Sequence, residues 1–191
     1  MKKVAICGNI ASGKSTVQKI LEEKKYKIIN TDIIGHKLLT IKNKDLYDAF
    51  KNLDVFEKGE FSRTKIANLV FSDNNMRLKL NSIIHPQIAE KIKELYETYK
   101  NEKVLFVEIP LLFEAKMENL FDKIVFIYAN DDIRLKRLMI RYNYNIEQAK
   151  LRLQSQKAQD EKLKKSDFVI YNNGTLEELK QKTEEILSNL V

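Results

Sequence analysis

The most constraining feature of this chain lies near its N-terminus, where a short apolar run leads directly into a loop that contains two glycines. Residues 4–7 read Val-Ala-Ile-Cys, and residues 8–15 read Gly-Asn-Ile-Ala-Ser-Gly-Lys-Ser. The second stretch matches the GxxxxGK(S/T) pattern of a phosphate-binding loop. Val17, Ile20 and Leu21 follow at the spacing of one helix face. The pattern therefore predicts a strand, a phosphate-binding loop and a helix, in that order.

The residue types in this loop have chemical reasons. Gly8 and Gly13 permit backbone angles that a side chain would forbid, and they let the main chain approach a ligand. Successive N–H groups at the start of a helix form a concave site that favours an anion. The charge of Lys14 can reach terminal phosphates, and the hydroxyl of Ser15 can ligate Mg²⁺. A chance glycine-containing turn is the alternative, and the flanking strand and helix patterns disfavour it.

Composition places the chain among globular proteins. Its 191 residues are 43% hydrophobic and 32% charged, which suits one compact domain, 1–191, with inserted subregions. The longest apolar stretches have the length of strands, so we expect no membrane partner. The single Cys7 excludes an internal disulfide and a zinc cluster, and we expect it to be buried and inert. These features predict a soluble, cytoplasmic protein.

The net charge of +7 leaves three interpretations open. A basic chain can bind nucleic acid, bind a small polyanionic ligand, or simply carry lysines on solvated helix faces. The lysines here are scattered along the sequence and not clustered. A nucleotide substrate explains a local positive site without a polymer, so we expect no nucleic-acid partner.

Four further strands are predicted, at 26–30, 104–107, 123–128 and 167–171. Because strands alternate with helices, we expect an α/β doubly wound fold with a five-stranded parallel sheet. By analogy with phosphate-loop kinases, the expected strand order is 2-3-1-4-5.

Residues 33–100, between the second and third strands, look helical. The patterns predict a short helix at 45–50, an irregular segment at 56–61, a helix capped by Ser62, a helix from Asn74 to Ile84, and a new helix starting at Pro86. Such an insertion is a natural place for a second substrate.

Two acidic residues stand at predicted strand ends. Asp32 follows the second strand and Glu108 ends the third, and in an open parallel sheet these ends line the ligand crevice. Asp32 could accept a proton from a substrate hydroxyl or hold a magnesium-bound water, or it could simply cap the next helix. Glu108 resembles the acid that orients magnesium through water in phosphate-loop proteins.

Arginines at 134, 137 and 141 lie along one predicted helix, whose apolar face is separate. Arg137 and Arg141 are like charges one turn apart, and an anion between them would relieve their repulsion. A solvated basic face is the alternative. A turn follows, and Asn145 and Gln148 form a predicted capping pair for the next helix. We therefore expect residues 137–157 to form a lid that closes over phosphates.

The chain resembles the dephospho-coenzyme A kinase family collinearly, from Val4 to about Leu179. The resemblance rests on residues 8–16, 29–32, 80–86 and 108–114, on Arg137 and Arg141, and on residues 167–174. The phosphate loop alone fits many kinases. The His85-Pro86 pair and the Pro-Leu-Leu-Phe-Glu stretch, in this order, are more specific.

This resemblance implies transfer of the γ-phosphoryl group of ATP to the ribose 3′-hydroxyl of dephospho-coenzyme A, with Mg²⁺. The residues that it implies for ATP binding are Gly8, Ala11, Ser12, Gly13, Lys14, Ser15, Thr16, Arg137 and Asn173. It further implies that Lys14 neutralises developing charge, that Asp32 accepts the hydroxyl proton, and that Arg141 closes over the phosphates. The helices at 33–100 would hold the acceptor, and Asn173 would lie near the adenine.

The chain departs from the usual family pattern at three places. Residues 30–32 read Asn-Thr-Asp where the family usually has Asp-Ala-Asp, so the catalytic aspartate is kept and the first acid is an amide. Tyr142 stands where an acid often follows the lid arginine. Asn9 and Ala11 stand where glycine is common.

Two other functions remain open from the residues alone. A kinase of another small acceptor, such as a nucleoside monophosphate, would use the same loop and lid chemistry. A nucleic-acid-binding ATPase would account for the positive net charge, and the scattered lysines disfavour it. For the assembly we expect a monomer or a weak homo-oligomer.

Overall fold

The computed structural model describes residues 1–156 and 158–190. Lys157, the last residue of the predicted lid, and Val191, the last residue of the predicted single domain, lie outside the described residues. The described chain divides into two compact units: the first comprises residues 1–30 and 99–190, and the second comprises residues 31–98.

The order of elements alternates strands and helices, as the sequence pattern predicts. The strands are β1 (Lys2–Gly8), β2 (Lys27–Asn30), β3 (Phe56–Glu57), β4 (Glu60–Phe61), β5 (Val104–Glu108), β6 (Lys123–Tyr128) and β7 (Phe168–Tyr171). The α-helices are α1 (Lys14–Glu23), α2 (Thr31–Leu38), α3 (Lys44–Phe50), α4 (Arg63–Ser72), α5 (Asn74–Thr98), α6 (Asp131–Tyr142), α7 (Ile146–Gln154), α8 (Gln159–Leu163) and α9 (Leu176–Leu190).

In the described part of the first unit, five strands form one parallel sheet in the order β2-β5-β1-β6-β7. If only the strands of this sheet are numbered along the chain, that order is 2-3-1-4-5, which confirms the prediction. The labels differ from this simple count because β3 and β4 lie between β2 and β5 in the sequence. Those two strands form a separate ribbon in the second unit.

β1 lies in the middle of the sheet because it is apolar on both faces, as a buried parallel strand must be. Val4 and Ile6 are almost fully buried and share a core with Leu21 of α1 and Leu187 of α9. Each fully buried aliphatic side chain contributes roughly 1.5–3 kcal/mol. Burial also raises the pKa of the Cys7 thiol to about 12. The burial of Cys7 confirms the prediction. The raised pKa keeps the thiol protonated, and therefore inert, at neutral pH.

The strand register brings the carboxyl ends of three strands to one edge of the sheet. Glu108, the last residue of β5, pairs with Ile6 on one side and with Asn30 on the other. Gly8 pairs with Ile127 of β6. The loop that follows β1 and the carboxylate of Glu108 therefore lie at the same edge, where ligands bind in sheets of this kind.

Side-chain caps occur at the starts of three helices, and those at α4 and α7 confirm the predictions made from Ser62 and from Asn145 and Gln148. The hydroxyl of Ser62 accepts a backbone hydrogen bond at the start of α4. Asn145 and Gln148 form a reciprocal capping box at α7. Thr175 and Glu178 do the same at α9. Each cap satisfies backbone N–H groups that the first helical turn leaves unpaired.

The prediction that residues 56–61 are irregular is wrong, because they form a hairpin of β3 and β4 in the second unit. Lys58 and Gly59 between the strands have φ angles of 52° and 80°, and two left-handed residues make the turn that suits a tight hairpin. The rings of Phe56 and Phe61 lie 4.6 Å apart, measured between their centroids. This ring contact helps to hold so short a pair of strands together.

The predicted helix start at Pro86 is also wrong, because α5 runs without a break from Asn74 to Thr98 with Pro86 inside it. Proline removes one backbone hydrogen bond and costs about 3 kcal/mol in a helix interior. Apolar residues on both sides of Pro86 pack in the second unit, among them Ile84 and Ile88. This packing outweighs the local preference for a break.

Over the described residues, no helix combines the length and the apolar character that a membrane crossing requires.

Candidate active site

The loop between β1 and α1 has the backbone that its glycines predict. Gly13 has a φ of 102° and immediately precedes α1, and Ala11 also has a positive φ, of 61°. A Cβ on Gly8 would lie 2.6 Å from the carbonyl oxygen of Ile127, and a Cβ on Gly13 would collide with the side-chain amide of Asn172. Close packing therefore excludes a side chain at both positions, and the left-handed φ of Gly13 favours glycine there as well.

Lys14 turns back over this loop. Its ammonium group donates hydrogen bonds to the carbonyl oxygens of Gly8, at 2.8 Å, and Asn9, at 3.3 Å. The positive charge is thus held at the loop itself, where the N-terminus of α1 also favours an anion. Ser15 is exposed in the first turn of α1, and Thr16 follows it. The loop can therefore offer backbone N–H groups, a hydroxyl and an ammonium group to a phosphate chain.

The buried hydroxyl of Ser12 is a further feature of the loop. Ser12 is fully buried, and its oxygen has no hydrogen-bond partner among the described residues. Buried polar groups are nearly always paired in folded proteins. An unpaired hydroxyl inside a phosphate-binding pattern is consistent with a loop that is completed by a ligand.

Arg137 of α6 contacts the loop directly. Its guanidinium donates to the carbonyl oxygens of Ala11, at 3.4 Å, and Ser12, at 3.5 Å, and to the backbone and side-chain oxygens of Asn172, at 3.1 and 3.3 Å. Burial lowers the pKa of Arg137, but an arginine keeps its charge at any physiological pH. This side chain therefore brings a positive charge against the outside of the phosphate loop.

The other two arginines of α6 have different environments. Arg134 is 2% exposed and donates from Nε to the carbonyl oxygen of Ile10, at 2.9 Å, and from Nη1 to Asp131, at 2.8 Å. Burial lowers its pKa, and the charge of Asp131 opposes that effect. Arg141 is exposed, and its guanidinium lies 5.3 Å from the ring centroid of Tyr142. Two of the three arginines on the predicted basic face are thus directed at the loop.

The structure distinguishes Asn172 from its neighbour Asn173. Asn173 exchanges hydrogen bonds with Asn130, at 2.8 and 3.0 Å, just before α6. Asn172 is buried and donates from its side-chain amide to the carbonyl oxygen of Ser12, at 2.8 Å. The resemblance takes in both residues, and Asn173 was selected from this turn as the ATP-binding residue. The contact of Asn172 with the phosphate loop was not predicted.

Glu108 is buried at the end of β5, with 8% of its surface exposed. Its Oε2 accepts a hydrogen bond from Nδ2 of Asn30, at 2.6 Å. A carboxylate is a preferred ligand for Mg²⁺, which uses few protein oxygens and keeps waters and phosphate oxygens in its shell. Among the described residues no cluster of three or more acidic, histidine or cysteine side chains is present. The residues fit a magnesium ion that is held jointly with a nucleotide.

Asp32 is the second residue of α2 in the second unit and is exposed. It follows β2 with only Thr31 between it and Asn30. Because α2 begins at Thr31, Asp32 lies within the first helical turn, where the helix dipole favours a negative charge. Its exposure leaves the carboxylate accessible to a ligand.

Two further side chains also hold the loop, one near the end of the predicted lid and one after it, and neither contact was predicted. Gln156 accepts a hydrogen bond from the backbone N–H of Ile10, at 2.6 Å. Lys162 of α8 donates to the side-chain oxygen of Asn9, at 2.8 Å. No local pattern links these residues, because they are separated from the loop by about 150 positions.

A parallel sheet in this order, with a phosphate loop after its first strand and a buried carboxylate at the end of the neighbouring strand, defines the class of phosphate-loop kinases. Comparisons with known proteins identify the family. The sequence model of the dephospho-CoA kinase family matches residues 2–178. The chain belongs to the dephospho-CoA kinase family, which confirms the resemblance found in the sequence.

Individual relatives agree with this assignment. A dephospho-CoA kinase of Bacillus cereus is 37% identical over 194 residues, which cover 97% of this chain and 96% of that protein. The structure of a dephospho-CoA kinase from Campylobacter jejuni superposes with a TM-score of 0.74 at 33% identity and covers 100% of this chain and 98% of its own. A crystal structure from Thermus thermophilus superposes with a TM-score of 0.84 at 30% identity, with the same coverage. The chain is therefore a kinase of the phosphate-loop class, and such kinases use ATP.

Proposed function

We propose that this protein transfers the γ-phosphoryl group of ATP to the 3′-hydroxyl of the ribose of dephospho-CoA, giving CoA and ADP. The observation that carries the proposal is the match of the dephospho-CoA kinase family to residues 2–178, which takes in the loop, the strand ends and the arginines of α6. Phosphoryl transfer needs little covalent chemistry from the protein, so catalysis consists mainly of positioning and charge neutralisation.

The donor half of the reaction is assigned to the first unit. We propose that Gly8 and the residues from Ala11 to Thr16 bind the phosphates of ATP and that Lys14 neutralises charge on the transferred group. Arg137 adds a positive charge from outside the loop, which its contacts with the loop carbonyls support. Arg141 lies one turn further along α6, and we propose that it closes over the phosphates from the lid. In the same half, Asn173 is proposed to lie near the adenine.

Magnesium is proposed to be held by Ser15 and Glu108. A bound Mg²⁺ would neutralise charge on the phosphate oxygens during transfer. Ser15 would supply its exposed hydroxyl, and Glu108 its buried carboxylate. The hydrogen bond from Asn30 to Glu108 supports this role because it fixes the direction of the carboxylate.

The acceptor half is assigned to Asp32 and the helical region 33–100. We propose that Asp32 accepts the proton of the 3′-hydroxyl as that oxygen attacks the γ-phosphorus. A carboxylate can take this role because the hydroxyl becomes strongly acidic only as the new bond forms. Dephospho-CoA is proposed to bind along the helices that follow Asp32.

Location and partners of the protein are also proposed. We place it in the cytoplasm and expect it to work as a monomer or a weak homo-oligomer without a nucleic-acid partner. Both statements rest on the composition and on the small size of the two proposed substrates.

A panel of acceptors at fixed ATP and Mg²⁺ tests the assignment of the substrate. ADP release is measured with dephospho-CoA, with adenosine, and with nucleoside monophosphates. We expect rapid release with dephospho-CoA alone. Faster turnover of a nucleoside monophosphate would instead support the alternative of a kinase for another small acceptor.

A further inference from the structure

Lys162 is a lysine buried beneath the phosphate loop. Only 2% of its surface is exposed, and it ranks among the largest fully buried side chains of the described residues. Its ammonium group donates to Oε1 of Glu114, at 2.7 Å, and to the side-chain oxygen of Asn9, at 2.8 Å. The side chain of Glu114 is 23% exposed, so the pair is only partly shielded from water. Removing charges from water is costly, and their attraction offsets that cost only in part. Because such a pair contributes little to stability, its position next to the phosphate loop suggests another role.

The second partner of Lys162 suggests that reason. Asn9 is the first variable residue of the phosphate loop, and it is itself 2% exposed. The next residue, Ile10, is held at both of its backbone polar groups: its N–H donates to Gln156, at 2.6 Å, and its carbonyl accepts from Arg134, at 2.9 Å. The first half of the loop is therefore held by side chains, and not by its own backbone alone.

These side chains come from the two sides of the lid turn. Arg134 lies on α6, before the lid turn, whereas Gln156 and Lys162 follow α7. Gln159 fastens the same segment to the start of α6, because its amide donates to the carbonyl of Ala129, at 3.0 Å, and to Asp131, at 2.9 Å. The segment after the lid is thus tied both to the loop and to the helix that carries the arginines.

We infer that Lys162 is a positioning residue for ATP binding: paired with Glu114, it holds Asn9 while Gln156 holds Ile10, and together they keep residues 9–10 in the conformation that lets the loop accept phosphates. Lys162 acts through Asn9 and does not touch the nucleotide. The inference rests on the proposed function, in which this loop binds ATP, and it adds the segment after the lid to the machinery of the donor half.

The alternative is that the pair only stabilises the fold. Removing Lys162 alone does not separate the two roles, because Glu114 would remain as an unpaired, partly buried charge and would destabilise the protein. Lys162→Met combined with Glu114→Gln avoids that problem, since neither charge then remains. Lys165→Met is a matched control, because Lys165 is 61% exposed and stands 3.9 Å from Glu118.

The experiment measures two quantities for each variant: the dissociation constant for ATP by calorimetry and the midpoint of unfolding in urea. We expect Lys162→Met to lower the midpoint of unfolding. The double variant should have a midpoint close to that of the wild type. The double variant should still bind ATP about tenfold more weakly than the wild type, because the hydrogen bond from a charged donor to the loop is lost. Lys165→Met should match the wild type in both measurements.

A second variant decides the question even if the double variant folds poorly. Asn9→Ala leaves the Lys162–Glu114 pair intact and removes only the acceptor on the loop. We expect it to weaken ATP binding by a similar factor. Wild-type affinity in Asn9→Ala, or in a folded double variant, would overturn the inference. If the wild type itself fails to bind ATP while Lys14→Ala behaves identically, the proposed function fails instead.

Discussion

Asn30 donates a hydrogen bond from Nδ2 to Oε2 of Glu108, at 2.6 Å, across the paired ends of β2 and β5. The family that this chain resembles usually carries an acid at position 30. Two carboxylates at this distance would repel each other and raise the pKa of one of them. The amide provides a neutral donor, so it can orient Glu108 without adding a competing charge.

This relationship predicts a role for Asn30 in metal binding. Asn30→Ala should weaken the binding of Mn²⁺, used in place of Mg²⁺ in the presence of ATP, by about 10- to 100-fold, as removal of an outer-shell partner does elsewhere. The affinity can be measured by electron paramagnetic resonance, which follows the metal and not turnover. Asn189→Ala on the exposed face of α9 is the control and should have no effect. Equal Mn²⁺ affinity in Asn30→Ala and the wild type would contradict the proposed metal site.

Asp32→Asn tests the assignment of the general base. We expect kcat to fall by about 10²- to 10⁴-fold, which is the usual contribution of a positioned base, while the dissociation constant for ATP stays near that of the wild type. Asp45→Asn is a matched control, because Asp45 is also an exposed aspartate in the first turn of a helix of the second unit. An unchanged kcat in Asp32→Asn would leave Asp32 with only a structural role at the start of α2.

The two arginines of the predicted lid should have separable effects. Arg137→Ala removes contacts with the loop carbonyls and should weaken ATP binding about tenfold, because a charged donor is lost. Arg141→Ala should mainly lower kcat, since Arg141 is exposed and is proposed to act only when the lid closes. Lys136→Ala, an exposed neighbour on α6, is the control. The assignment is wrong if Arg141→Ala weakens ATP binding and Arg137→Ala does not.

The prediction of the fold succeeded where short-range patterns decide the structure. The strand, loop and helix at the N-terminus and the helix caps follow from spacings of a few residues, whereas the strand order was predicted by analogy with phosphate-loop kinases. The loop glycines were correctly chosen because their conformational freedom is visible in the sequence itself. Lys58 and Gly59 form a hairpin turn that was missed because the strands on either side have only two residues each.

The missed site residues share a different physical cause. Asn172, Gln156 and Lys162 hold the loop through contacts that join residues about 145 to 160 positions apart. The residues next to a lysine or an amide in the sequence do not indicate that its partner is a distant backbone group or a distant side chain. Arg134 was placed on a basic face for the same reason, although the fold buries it against Ile10.

Acid stability gives a test of the fold that is independent of catalysis. Partial burial raises the pKa of Asp167, but hydrogen bonds from Lys123 and from the backbone N–H of Ile124, at 2.8 Å each, together with the charge of Lys123, lower it below the ordinary value. A carboxyl group whose pKa is lower in the folded state stabilises the fold above its unfolded pKa of about 3.9. That contribution is lost as the pH falls through the lower, folded pKa.

Asp167→Asn should therefore lower the free energy of unfolding at pH 7 by roughly 0.5–1.5 kcal/mol, the usual value of such a hydrogen bond. Because the pair with Lys123 is partly exposed, solvent screening favours the lower end of that range. The difference from the wild type should shrink below about pH 4. Urea unfolding at pH 7 and pH 3 measures both values, and Asp48→Asn serves as the control for an exposed ion pair. A difference that does not depend on pH would contradict the role of the ionised carboxylate.

The most direct test of the whole account is to identify the product. The purified protein is incubated with ATP, Mg²⁺ and dephospho-CoA, and the mixture is analysed by chromatography and mass spectrometry beside Lys14→Ala. We predict one mole of CoA, phosphorylated at the 3′-hydroxyl, for each mole of ADP released, with a rate at least about 100-fold lower in Lys14→Ala because the charge on the transferred group is no longer neutralised. ADP release without CoA, or no reaction by the folded wild type, would contradict the proposed function.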